Sequence, residues 1–244
     1  MPLWKDYVNE TWKQDRYFGM YPPTETISIG TFGTMKNRRF YPLGHLNDLE
    51  GMPQLKLSTP TPVSQAIFQS ESASSFTFNA ETELQLPEMY GVETTLNAGI
   101  SVRFADKKSL FVYMAGAQSV RLLNILEVME HLRERHAKAE AVNRGGWDDW
   151  YRVVTKLTRT KDLAVALSRS DDASIRLEFD GQPQISRVLG KAGFNMGWAS
   201  QHNAVHTWMG SCDAEGDEFF TPYFRCYNLN DRGVFGVSIE PSDD

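Results

Sequence analysis

Few residues in this chain have the types and spacing that chemistry uses. His202 and His206 stand four apart, a spacing that on a helix projects two imidazoles toward one metal ion. Their surroundings read as strand or loop, the glutamate of an HExxH pattern is missing, and no third ligand is evident, so a surface pair is expected. His131 and His136 are five apart and share no helical face. Cys212, in GlySerCysAsp, is the one conceivable nucleophile, but acidic neighbours raise a thiol pKa and no base has a sequence claim to lie near it. AlaGlyAlaGln at 115–118 follows an apolar run and precedes a helical one, yet has neither the lysine nor the glycine spacing of a phosphate loop. Asp148, Asp149, Asp171 and Asp172 form doublets in turns, where carboxylates cap backbone amides. No catalytic residue, metal or cofactor is expected, and a non-enzymatic protein follows.

The totals set bounds on the class. With 41% hydrophobic and 23% charged residues the chain of 244 has the balance of a folded globular protein, which excludes disorder as its dominant state. Its length leaves one large domain or two small ones open. Two cysteines, Cys212 and Cys226, are too few for a disulfide framework or a four-sulfur metal site and are expected as reduced thiols. A formal charge of −6 argues against nucleic acid as a main partner, since phosphate neutralisation needs a clustered basic face. Residues 1–19 lack the basic start and apolar core of a secretory signal, and no apolar run approaches the roughly 20 residues of a spanning helix. A soluble, cytoplasmic chain is expected.

The elements that must position any site are clearest over 147–179. Tyr151, Val153, Thr155 and Leu157, then Leu163, Val165 and Leu167, then Ile175, Leu177 and Phe179 recur with period two, while Arg152, Lys156, Arg176 and Glu178 take the alternate places. Short polar breaks at 158–162 and 169–172 suit a meander of three antiparallel strands joined by hairpins. Leu3 to Phe18 reads as a helix with Trp4, Tyr7, Val8, Thr11 and Trp12 along one stripe. That stripe either packs on its own domain or docks a partner or a membrane surface. Thr26 to Phe32 alternates as a strand, and a hairpin turning near Gly33 and the basic MetLysAsnArgArg run leads to Phe40 to Leu43. A short helical turn is expected over Leu46 to Glu50, and a long surface loop with one irregular strand over Ser58 to Ser75. Phe76 to Ala80 alternates, and Ile100 to Phe104 with Leu110 to Met114 form a hairpin whose second strand is apolar on both sides. Ser119 to His136 carries Leu122, Ile125, Leu126, Met129 and Leu132 at helical spacing and is expected to cover that strand, with Ser119 as its cap. Further strands are expected at Ile185 to Leu189, Phe194 to Ser200, Val205 to Met209 and Tyr223 to Tyr227. The fold class is therefore α+β: a mostly antiparallel twisted sheet, one long amphipathic covering helix and an N-terminal helix. The organisation is a helical extension at 1–35, a single α+β domain at 36–228 and an acidic tail at 229–244.

Two stretches carry a family resemblance. PheTyrProLeuGlyHisLeuAsnAspLeu at 40–49 is similar to the strand and short helix that open the pore-forming domain of gasdermins, including the short bacterial members. TyrArgValValThrLysLeuThrArgThrLysAspLeuAlaValAlaLeu at 151–167 resembles their ValValThrGlu strand, polar turn and returning strand. The resemblance spans 36–228 in order of elements and departs at Lys156, which stands where the family has glutamate. It departs also in the extension at 1–35, which contains no cysteine for acyl attachment, and in having only the tail after Tyr227 in place of an inhibitory domain.

The resemblance implies a pore-forming effector of the kind used in cell death and antiphage defence. A soluble precursor would convert to a membrane β-barrel after release of its tail by an activating protease, assembling as a homo-oligomer in membrane lipid. Alternation along the hairpins, expected within Phe76 to Met114 and Tyr151 to Phe179, lets one face meet lipid and the other water. Lys36, Arg38 and Arg39 are the candidate membrane contacts, and Val234 and Phe235 the candidate plug. The competing class is a non-enzymatic interaction or self-assembling module that uses Trp4, Tyr7, Val8 and Trp12 of the N-terminal helix.

Overall fold

The computed structural model describes residues 2–13, 17–63, 67–70, 73–80, 98–141, 150–171, 173–180, 195–201, 205–212, 218–229 and 235–237. Among them the fold is α+β, with two α-helices and three sheets, and each strand pairing whose register is described is antiparallel. The chain divides into two compact units, 1–62 with 118–159 and 221–244, and 63–117 with 160–220. Each unit is assembled from separated segments, which is why no linker composition marks a boundary.

The first unit begins with α1, Leu3–Lys13, shorter than the expected Leu3 to Phe18 because Phe18 belongs to a strand. Its sheet contains β1 (Phe18–Gly19), β2 (Thr31–Lys36), β3 (Arg39–His45), β4 (Thr61–Pro62), β9 (Gln118–Arg121), β10 (Tyr151–Thr160), β15 (Phe220–Leu229) and β16 (Phe235–Val237). The order is β1-β15-β10-β2-β3, with β16 on β15, β9 on β10 and β4 on β9. A single 3₁₀ turn, Leu46–Asp48, follows β3 where a helical turn was expected. The expected strand at Thr26 to Phe32 is mostly loop. Ile27 and Ile29 are buried, but the Ile27 backbone is satisfied by a side chain, its N–H donating to Thr221 Oγ1 and its carbonyl accepting from the same hydroxyl.

Helix α2 runs Ile125–Ala141, not from Ser119. Backbone donors decide the difference. Ser119 pairs with Thr158 in the sheet, Leu122 N donates to Thr155 O and Leu123 N to Lys56 O, so helix begins only when the Asn124 carbonyl accepts from Val128 N. Val128, Met129 and Leu132 are fully buried in the first unit's core, with Val153, Leu157, Phe224 and Cys226, whereas Leu126 is 64% exposed. The strand this helix was expected to cover lies in the second unit.

The second unit holds β5 (Ile67–Gln69), β6 (Ala73–Ala80), β7 (Ala98–Phe104), β8 (Leu110–Ala115), β11 (Asp162–Ser168), β12 (Ala173–Asp180), β13 (Asn195–Gln201) and β14 (Val205–Ser211). They form two four-stranded sheets, β14-β11-β8-β5 and β13-β12-β7-β6. Four runs of chain, 67–80, 98–115, 162–180 and 195–211, thus pass through both sheets in one lateral order. Two expectations change accordingly. The chain around AlaAspLysLys does not turn back as a hairpin, because β7 pairs with β6 and β12 while β8 pairs with β5 and β11. Nor are β10, β11 and β12 a meander: none pairs with another, and each belongs to a different sheet. Period-two alternation identifies a strand and says nothing of its partner. The strand Leu110–Ala115 is central and buried throughout, as its double-sided apolar sequence requires.

Candidate functional site

Among the described residues, no metal-ligating cluster of three or more residues gathers the candidates that the sequence offers. His202 lies outside them, and His206 stacks edge-on against Trp208 at 4.5 Å. Its pKa is held below the ordinary imidazole value, first by burial and then by the charge of Arg169. Burial pushes the Cys226 thiol up to about 12, against a smaller opposing pull from Arg152, so it holds no thiolate at neutral pH. Cys212 is a free thiol, half-buried, its backbone N–H donating to Lys161 O. Asp171 does what a turn carboxylate is expected to do, accepting from Lys107 N at 2.8 Å; Asp148, Asp149 and Asp172 lie outside the described residues.

Two arrangements remain. The first is the sheet β13-β12-β7-β6. It consists of two hairpins, β6 with β7 and β12 with β13, joined side by side through β7 and β12. The register sets Phe78, Ile100, Leu177 and Trp198 in one cross-strand row, and Phe76, Val102, Ile175 and Gln201 in a row beside it. Thr77, Ser101 and Arg176 form the row between them, and Arg176 pairs with Ser200 across a register shift in the β12–β13 pairing. Val102, Phe104, Ala173, Ile175 and Leu177 are buried in the second unit's core, while Arg103 and Ser174 are exposed. Along the described parts of β7 and β12, buried apolar residues thus alternate with exposed polar ones. Of the two expected hairpins, Phe76 to Met114 contains the β6–β7 pair, but the second hairpin is 173–201 and not Tyr151 to Phe179. The sequence showed the right strands; the pairing was hidden because 181–194 separates β12 from its partner.

The second arrangement joins two groups that the sequence kept apart. Lys36 and Arg39 flank the two-residue turn between β2 and β3, formed by Asn37 (φ 51°) and Arg38 (φ 63°), which both take left-handed backbone, the geometry of a type I′ hairpin. Gly33 is not at this turn. It lies within β2 beside a register shift, where a Cβ would come 2.1 Å from the Tyr41 carbonyl oxygen. Lys36 is exposed. Arg38 donates to Asn9 Oδ1 at 2.9 Å and stacks on Trp12 at 5.9 Å, and Arg39 lies 5.9, 5.5 and 5.2 Å from the rings of Trp4, Tyr21 and Tyr41. The N-terminal helix therefore holds the basic turn.

That use of α1 explains its aromatic stripe. Tyr7 and Val8 are fully buried and Trp12 is 5% exposed, with Trp4 half-buried. Trp12 stacks on Phe18, Phe18 on Phe224 and Phe224 on Phe40, and Tyr7 OH donates to Pro222 O at 2.8 Å. Burial pushes the Tyr7 hydroxyl well above its usual range, keeping it a donor. Packing on the chain's own domain, the first of the two readings of this stripe, is what the structure contains. In the tail, Val234 lies outside the described residues, and Phe235 begins the strand that pairs with Tyr227 to Leu229.

No protein-family model matches the chain, and no curated protein matches it. No helix among the described residues is long and apolar enough to cross a membrane, a statement that does not bear on β-barrels, which cross with strands.

Proposed function

We propose that this chain is a non-enzymatic, gasdermin-like pore former whose two hairpins leave the soluble fold and insert as part of an oligomeric membrane β-barrel. The single observation that carries the reading is the amphipathic sheet β13-β12-β7-β6. A barrel strand needs about 9–11 residues with alternate ones facing lipid. The described parts of these strands run seven or eight residues each; β7 and β12 alternate throughout, while register shifts interrupt β6 at Ala73/Ser75 and the β12–β13 pairing at Arg176/Leu177, and 81–97 and 181–194 join the hairpins. β6 and β13 end the lateral order, each with one strand partner in that path, so closure with further copies would satisfy their outer edges.

In the soluble state the apolar face is occupied by the second unit's own core, which makes conversion dependent on a release step. The tail supplies a candidate: among the described residues β16 docks on β15 through Tyr227 with Val237, Asn228 with Gly236 and Leu229 with Phe235. An activating protease that removes it would free that edge. The test is dye release from liposomes by the full chain and by a chain ending at Leu229. The truncated chain releases dye and forms rings visible by electron microscopy; absence of release by both forms from neutral and anionic vesicles overturns the reading.

A further inference from the structure

We propose that Thr61 is a phosphorylation site for a proline-directed serine/threonine protein kinase, and that Arg121 receives the phosphate. The site lies at the edge of the first sheet and does not depend on membrane insertion. ThrProThrPro at 59–62 is exposed at every position. Thr61 belongs to β4, whose strand partner among the described residues is β9, so its outer edge is open to a second chain. The backbone on either side is anchored: Leu123 N donates to Lys56 O, Ser58 N to Arg121 O and Val63 N to Ala117 O. The stretch is therefore held extended and outward, the form in which a kinase cleft takes its substrate, and Pro62 supplies the residue that a proline-directed kinase selects after the acceptor. The Thr61 hydroxyl makes one long hydrogen bond, donating to Thr59 O at 3.4 Å, which costs little to give up. In the transfer the γ-phosphoryl group of a nucleoside triphosphate passes to Thr61 Oγ1. The bond from its phosphorus to the β,γ-bridging oxygen breaks, a P–Oγ1 bond forms, the hydroxyl proton goes to the kinase's carboxylate base, and a nucleoside diphosphate leaves.

What distinguishes Thr61 from other exposed hydroxyls is the charge beside it. Thr61 pairs with Ser119, and Arg121 stands two residues further along β9 on the same face, since the alternate residues Val120 and Leu122 are buried in the core. Lys156 of β10 lies directly opposite Arg121, a like-charge cross-strand pair that destabilises a sheet. Lys156 shares the ring of Tyr17 with Arg225, at 5.5 and 4.4 Å. Arg121, by contrast, is exposed and has no ion-pair partner among the described residues. Diagonal neighbours in an antiparallel pair are about 7–8 Å apart, a gap that an arginine fork and a phosphothreonine span together. A phosphate carrying about −1.5 to −2 charge at neutral pH thus meets a bidentate donor and offsets the repulsion between Lys156 and Arg121. The modification pins β4 to β9.

The experiment incubates the full chain with magnesium, ATP and a cyclin-dependent protein kinase, maps the product by mass spectrometry, and follows it by thermal melting and phosphorus NMR. The folded chain takes up phosphate at Thr61, and Thr61→Ala loses that phosphate without a change in melting temperature. At about 0.1 M salt the phosphorylated chain melts about 2–4 °C above the unmodified one. Its phosphate titrates below the ordinary second pKa of about 6, because the guanidinium favours the dianion. Arg121→Ala, a change at an exposed position, is phosphorylated like the parent but gains no melting temperature, and its phosphate titrates closer to the ordinary value. The proposal is overturned if Thr61 stays unmodified in the folded chain, whether or not a peptide of residues 55–63 is modified. It is also overturned if the phosphorylated chain melts no higher than the unmodified one, or if the melting gain and the lowered phosphate pKa both survive Arg121→Ala. None of these readouts involves dye release, so failure of the pore reading leaves this one standing.

Discussion

In the first unit the lateral order β1-β15-β10-β2-β3 scrambles the chain, while in the second the order of strands across each sheet comes from neighbouring runs. The first unit ties the beginning of the chain to its end: Phe18 faces Phe224, and Tyr7 donates to Pro222. Among the described residues it also carries both α-helices and the stacked rings of Trp12, Phe18, Phe40 and Phe224. The second unit is built from two hairpins and their continuations, with a core that mixes Phe104, Phe111 and Tyr113 with Ala115, Ala164, Ala166 and Ala173. Contacts that are distant in sequence cannot be lost piecemeal, whereas a hairpin can move as a unit. Under the proposed function, the first unit would be the fixed scaffold and the second the element that converts.

The strongest way to break this comparison is to damage the scaffold's aromatic centre. Phe224 is fully buried against Phe18 and Phe40. Phe224→Ala costs about 3–5 kcal/mol, and calorimetry should show one transition moved to lower temperature with the second unit's transition retained. A single transition moving as a whole would show that the two units melt together. A smaller effect is expected within the second unit at Asp162, which is buried, sits at the start of β11 and accepts from the Ser211 hydroxyl of β14. Asp162→Ala removes this hydrogen bond, and because Ser211 is exposed its hydroxyl turns to water, so the loss is about 0.5–1.5 kcal/mol, read by denaturant unfolding. If this end of β11 is where conversion starts, the variant also releases dye faster once the tail is removed.

The smallest effect is a pH dependence at His206. Its folded pKa is depressed by burial and by Arg169, so the unfolded chain binds the proton more readily. Stability is therefore full above the unfolded value near 6.5 and falls as pH drops through it toward the folded value. His206→Gln should flatten the thermal-melting profile between about pH 7.5 and pH 5.5; an unchanged slope would remove His206 from the account.

How much of this was legible follows from what each pattern encodes. Strand alternation at 100–104, 151–157, 163–167 and 175–179 was readable because it is local, and so was the buried character of Leu110 to Met114. Pairing was not, since one residue, Lys161, separates β10 from β11 and the same polar break serves a hairpin turn or a passage to another sheet. The helix at 125–141 was visible but its start was not, because Ser119 to Leu123 have helical spacing and yet spend their backbone donors on β10 and on residues before β4. At the candidate site the cations of the β2–β3 turn and the aromatics of α1 could each be picked out, while their meeting depends on tertiary packing between residues about thirty positions apart. Tyr17 with Lys156 and Arg225 had no local signal at all.

The central claim is that the sheet β13-β12-β7-β6 becomes the membrane wall. Single cysteines placed along 98–104 and 173–177, labelled with a polarity-sensitive dye and followed as the truncated chain meets liposomes, test it most directly. The account predicts a period-two pattern, with positions 100, 102, 175 and 177 moving into lipid and positions 101, 103 and 174 remaining in water. Dye release from the liposomes with no such alternation at these positions would contradict it.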